Sequence, residues 1–193
     1  MRHFLSIFVG ILLLFSTSAL AQDRFGIELR VGPDFATQDL GDANLNTGFG
    51  SEVVFSYQFI PRLAGYAGFG YGRSTVDGNS FAGSDAIVEE TGYTFGVQFI
   101  QPVRASRFGY FLRAGGVYNH LEIEDDASSL SADSGHGFGW QVGAGPVVTL
   151  GQNWRVMPGL RYRALSRDIT IGDVKTDLDR TYLSAGVGVM WMF

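Results

Sequence analysis

The residues of this chain whose types could do chemistry are few, and most are charges set among apolar or small neighbours. Glu28, Arg30, Glu52, Glu90, Arg113, Arg161 and Arg163 all lie in stretches that alternate apolar with polar positions. Carboxylates and guanidiniums in such surroundings form ion pairs, because an unpaired charge is expensive away from water. Ranged along a passage, they would instead line a narrow path for a solute. His120 and His136 form a second group, bracketing a segment that holds Glu122, Asp133 and Ser134. A histidine with Ser, Asp or Glu is the equipment of acid–base or nucleophilic catalysis. Any Ser- and Asp-rich segment supplies such neighbours, so the pair alone does not make the chain an enzyme. The third group is acidic: Glu122, Glu124, Asp125, Asp126 and Asp133, with no basic residue from 122 to 135. It is expected to be a solvated loop that can gather divalent cations or meet a basic partner. It lacks the ligand spacing of a calcium loop. With no cysteine in the chain, disulfides and thiolate metal sites are excluded, and no cofactor or metal is expected.

The elements that must position these charges all share a period of two. From Leu183 to Phe193, residues Leu183, Ala185, Val187, Val189, Trp191 and Phe193 fall on one face of an extended chain, and Ser184, Gly186 and Gly188 on the other. The same alternation predicts strands over 25–31, 49–59, 63–73, 87–99, 108–118, 137–150 and 154–166. Polar connections at 33–47, 77–85 and 122–135, and one holding Asp168, Asp173, Lys175, Asp177 and Asp179, read as loops. Between them stand short turns at Pro61-Arg62, around Pro102 to Arg107, and at Gly151 to Asn153. Long connections thus alternate with short ones around about eight antiparallel strands. Phe25, Phe59, Phe99, Phe108, Leu150, Trp154, Trp191 and Phe193 gather at the short-turn end of the apolar face, and Phe49, Tyr71, Tyr118, Phe138 and Tyr162 at the other, as aromatic belts do at bilayer interfaces.

Arg2 and His3 precede an apolar run from Phe4 to Phe15, and Ala19 and Ala21 supply the small residues of a cleavage site. A signal peptide over 1–21, cleaved after Ala21, and a barrel domain over 22–193 are expected. The chain carries 14 basic against 19 acidic side chains, which gives no cause for nucleic-acid binding. Its 27 glycines crowd the polar face, where a narrow lumen needs room for Arg, Glu, Tyr and Phe. A soluble barrel of the lipocalin kind would turn that face to water, where glycines serve little.

The terminal strand resembles the C-terminal signal of bacterial outer-membrane barrels through Val187, Gly188, Val189, Trp191 and Phe193. With the strand layout, the mature chain resembles the small barrels that include OmpX, the transmembrane domain of OmpA and the opacity-type proteins. That resemblance implies an all-β, transmembrane, antiparallel up-and-down barrel of about eight strands. It also implies a monomer in outer-membrane lipid and lipopolysaccharide, inserted by the barrel-assembly machinery; no peptidoglycan-binding domain is expected after Phe193. No motif of the lipid-modifying barrel enzymes is present. The expected role is structural or adhesin-like, through the acidic external loops and an unidentified surface ligand. Glu52 is expected to pair with Arg161 or Arg163, and Glu28 with Arg30 or Arg113, filling the lumen. The alternatives are a narrow pore, a soluble ligand-binding barrel and a lipid-modifying enzyme.

Overall fold

The computed structural model describes residues 24–37, 46–76, 86–104, 106–125, 131–133, 135–171 and 174–193. The expected signal peptide, its cleavage point after Ala21, and Asp126 lie outside them. Alternating apolar and polar residues, rich in aromatic and β-branched side chains, favour extended chain half-buried on a pleated wall. They build β1 (Phe25–Ala36), β2 (Gly48–Ile60), β3 (Leu63–Val76), β4 (Ala86–Pro102), β5 (Phe108–Asp125), β6 (Ser131–Asp133), β7 (Gly137–Leu150), β8 (Trp154–Ile171) and β9 (Val174–Met192).

Each long strand pairs antiparallel with its neighbours in the chain, and β4 pairs with β5 and β9 with β1, so the sheet closes on itself. The three-residue β6 pairs with the outer end of β5. Eight strands therefore form the wall. At the closure Ile27 faces Trp191 and Leu29 faces Val189. The seam is fastened by Phe25 N donating to Phe193 O (3.1 Å) and Phe193 N to Phe25 O (2.9 Å). Closure matters because in lipid each unpaired backbone group of an open edge costs several kcal/mol.

The apolar faces point outward. Leu29, Val53, Leu112 and Leu160 are each at least half exposed, as are Phe108 and Trp154 towards the short turns and Phe49 and Phe138 towards the other end. The polar faces are inside, with Glu28, Glu52, Glu90 and Arg113 at 5% exposure or less. This polarity is that of a barrel solvated by hydrocarbon, and it excludes the lipocalin arrangement.

Several strands outrun their sequence signals. β1 continues through Pro33 and Asp34 to Ala36, so Asp34 is no loop residue but a buried group facing the lumen. Of the acidic run, Glu122, Glu124 and Asp125 belong to β5 and Asp133 to β6. The backbones of Glu122 and Glu124 are opposite Asp133 and Ser131. Asp168, Asp177 and Asp179 likewise sit in the ladder of β8 and β9, where Asp168 is opposite Asp177. The terminal strand accordingly begins at Val174, and Phe193 lies one residue past its end. The reason is common to all: ladder bonds are made by the backbone, and a hairpin that rises into water is indifferent to polar side chains on both faces.

Candidate functional site: a closed, charge-balanced lumen

The ring order of the strands decides which charges can meet. β1 and β5 are diametrically opposed, and β2 lies three steps from β8, as does β4. Inward side chains from these pairs therefore reach across the lumen rather than along the wall.

Nearest the short turns is an apolar plug made by Phe111 (β5), Val147 (β7), Met157 (β8), and Met190 and Met192 (β9), with Ile100 against it. Above it Glu28 accepts from Arg30 Nε (2.9 Å) and, across the barrel, from Arg113 Nη2 (2.5 Å). Arg113 also donates through Nε to Gln98 Oε1 (3.0 Å) and lies 4.8 Å over the Tyr66 ring. Arg30 lies 5.3 Å over Phe111, which ties the ions to the plug.

The next layer joins Glu52 to Arg161, with Thr94 Oγ1 donating to Glu52 at 2.5 Å. Gln141 Nε2 donates to the Tyr66 hydroxyl (3.0 Å) and Gln141 Oε1 accepts from Arg163 Nη2 (3.0 Å). Higher still, Glu90 meets Arg163 (3.0 Å), Asn119 Nδ2 (2.7 Å) and the Tyr182 hydroxyl (2.9 Å). Asp34 accepts from the Ser184 hydroxyl. An apolar cluster of Val117, Leu165 and Tyr182 covers this end.

All the inward charges read from the sequence are thus brought together, and Asp34 joins them. With it, Glu28, Asp34, Glu52 and Glu90 balance Arg30, Arg113, Arg161 and Arg163. Arg161 is the least well held, because its Nε is buried with no hydrogen-bond partner among the described residues. Two cavities beside Arg161 have volumes of about 10 Å3 each, about the space one water needs. The lumen is occluded.

Several contributors escaped the sequence reading, among them Tyr66, Tyr182, Asp34 and the Met plug. Asp34 was hidden by its turn-former chemistry beside a proline. The Met plug was visible in principle, because Met190 and Met192 share the parity of Ser184 and Gly188. Gly188 itself has a reason beyond the terminal-strand pattern: a Cβ there would collide with Glu28 Oε1 and lie 3.0 Å from Arg30 Nη2. Gly188→Val should therefore displace the Glu28 carboxylate and lower stability by about 1–3 kcal/mol. At Gly70 an added carbon meets nothing nearer than 3.5 Å, so Gly70→Ala should leave the urea midpoint unchanged.

Among the described residues, which leave out Ser134 and the side chain of Asp133, the histidines form no nucleophile–base arrangement. His120 Nε2 lies 3.2 Å from Glu122 Oε1, and its ring packs 4.8 Å from that of His136. The Thr91 hydroxyl is nearly equidistant from both His120 ring nitrogens, at 3.1 and 3.2 Å. It is not aimed at either lone pair as an activated nucleophile would be. Among the described residues no group of three His, Cys, Asp or Glu is placed to hold a metal.

The family model described as "Outer membrane protein beta-barrel domain" matches residues 7–193. No curated protein matches the chain. Among solved structures, it is similar to Neisserial surface protein A, with 20% identity over 88% of this chain and 97% of that one and a TM-score of 0.61. It is also similar to OprG of Pseudomonas aeruginosa, with 14% identity over 89% and 98% and a TM-score of 0.59. A third is Ail, the attachment invasion locus protein of Yersinia pestis in complex with the heparin analogue sucrose octasulfate, with 13% identity over 87% and 98% and a TM-score of 0.51. At these identities the likeness is one of fold.

Proposed function

The chain belongs to the outer membrane protein β-barrel domain family, the bacterial outer membrane is its location, and from that premise we propose that it is a closed structural barrel presenting an acidic outer face to a basic or cationic partner. The observation that carries this reading is the lumen: ion pairs reaching across the barrel leave no continuous path for solute. On the outward side, the surface available for interaction is the end away from the short turns, where β5 carries Glu122, Glu124 and Asp125. That end suits a basic polypeptide, or divalent cations bridging to lipopolysaccharide phosphates, and a sulfated polyanion of the kind bound by Ail would be repelled. Kinship within the family to OmpX, the OmpA transmembrane domain and the opacity-type proteins is part of the same proposal. So are a monomeric state and use of the Val187 to Phe193 segment by the assembly machinery.

The purified barrel should migrate differently on gels before and after boiling, and in planar bilayers it should pass no steady current. Arg161→Ala, which removes the least satisfied cation, is the variant expected to produce brief openings. A large, stable wild-type channel would overturn the closed-barrel reading in favour of a narrow pore. For the outer face, cells displaying the barrel should retain a cationic peptide, and substitution of Glu122, Glu124 and Asp125 by Gln, Gln and Asn should reduce that retention. Equal retention by both would remove the acidic face from the proposal.

A further inference from the structure

The opposite end of the barrel has its own chemistry. The short-turn end, which in outer-membrane barrels faces the periplasm, carries Arg24, Arg62, Arg104, Arg107 and Arg155, and no Asp or Glu among its described residues. A cavity of about 180 Å3 opens there, below the Met plug, and Arg24, Arg62 and Arg155 line it. Its lining combines the apolar Met190, Met192, Val147 and Ile100 of the plug with the polar Gln58 and Thr149. The cavity is distinct from the two single-water spaces higher in the lumen, and nothing in the closed-barrel reading calls for it.

The arginines are held in place by their backbones. Arg24 O accepts from Gln58 N at 2.7 Å, and Arg62 O from Ile100 N at 2.8 Å. Neither side chain makes an ion pair among the described residues. Arg62 has φ of +74°, the one non-glycine among the described residues with positive φ. After Pro61 this position of a tight turn favours glycine, and a side chain there is strained. A turn serving connection alone would be better made with Pro-Gly; this one keeps a guanidinium at the rim of the cavity.

We propose that the periplasm-facing mouth is a binding site for an organic anion, a carboxylate or phosphate group carried on a short apolar body. The guanidiniums supply charge-assisted, planar donors suited to either group. The thioethers and aliphatic carbons of the lining accommodate a flexible apolar body, methionine being adaptable in shape. The volume is below the roughly 300–1,000 Å3 of sites for drug-sized ligands, which limits that body to a few carbons or to the end of a longer chain. A cation is disfavoured by the rim. The anion has two sources, a free short-chain acid or an anionic lipid of the inner leaflet.

The test uses the refolded barrel in phosphatidylcholine nanodiscs, with hexanoate as the probe and NMR of the Met190 and Met192 methyl groups as the readout. Hexanoate should shift both methyls saturably, and hexylammonium, which has a similar body and the opposite charge, should not. The Arg24→Gln/Arg62→Gly double variant should bind at least tenfold more weakly. Glycine suits the φ of residue 62, so this variant should fold, as its gel mobility before boiling will report. If nanodiscs containing phosphatidylglycerol shift the same methyls without hexanoate, the lipid is the source; if they do not, the free acid is. Non-saturating shifts, equal shifts by hexylammonium, or an unchanged midpoint in a folded double variant would each overturn the proposal.

Discussion

Replacing Glu28 by alanine should lower the stability of the barrel by about 3–5 kcal/mol, the range for stranding a buried charge. Glu28 is fully buried and holds two guanidiniums at once, Arg30 at 2.8 Å and Arg113 at 2.5 Å. Without it both cations remain in the lumen with no carboxylate between them. The two are unequally provided for. Arg113 keeps Gln98 and the Tyr66 ring, whereas Arg30 keeps a 3.4 Å bond to Met157 O and the Phe111 ring. Adding Arg30→Met to Glu28→Ala should therefore recover much of the loss, because an apolar side chain fits beside the plug and removes the stranded charge. The measurement is urea unfolding in detergent micelles, followed by tryptophan fluorescence for the wild type, the single variant and the double variant. An unchanged midpoint in Glu28→Ala would mean that water already solvates the layer, and the dry network would have to be abandoned.

Deleting Phe193 should have an effect of similar size on the folded barrel and a larger one on assembly in cells. The residue contributes both backbone bonds that fasten the seam to Phe25, and its ring stacks on Trp191 at 5.0 Å and on Phe25 at 5.9 Å. Two hydrogen bonds and two ring contacts together amount to about 2–6 kcal/mol. In a closed barrel the loss falls on the one junction between the first and last strands, which no hairpin secures. The chain lacking Phe193 should accumulate outside the membrane and be degraded, with little heat-modifiable band in the outer-membrane fraction. Trp191→Asp should act in the same direction by placing a carboxylate on the lipid-facing belt. Normal insertion of both variants would show that the assembly machinery does not depend on the Val187 to Phe193 segment.

Periodicity alone settles which way each side chain of a strand points. Alternation at Ile27, Leu29 and Val31, and again at Val187, Val189 and Trp191, assigns every residue of a strand to one of two faces. Glycine on the polar face, opposite an apolar one with aromatic belts, decides which face is inside. These are local properties, since side-chain direction depends on the parity of position along an extended chain. The candidate charges were legible for the same reason, because Glu28, Arg30, Glu52, Glu90, Arg113, Arg161 and Arg163 all have lumen parity. Parity carries no information about partners across the barrel. Height above the short turns narrows Glu52 to Arg161 or Arg163 and Glu28 to Arg30 or Arg113, and the ring order and stagger of the strands then give both arginines to Glu28, Arg161 to Glu52 and Arg163 to Glu90. Strand length was likewise a tertiary outcome. Asp34 and the acidic positions of β5 look like loop by composition, yet once the neighbouring strand is in register the backbone ladder extends through them, because its donors and acceptors are the same for every residue except proline. The balance of four carboxylates against four guanidiniums therefore became visible only when Asp34 was carried into the lumen by β1, in register with Ser184.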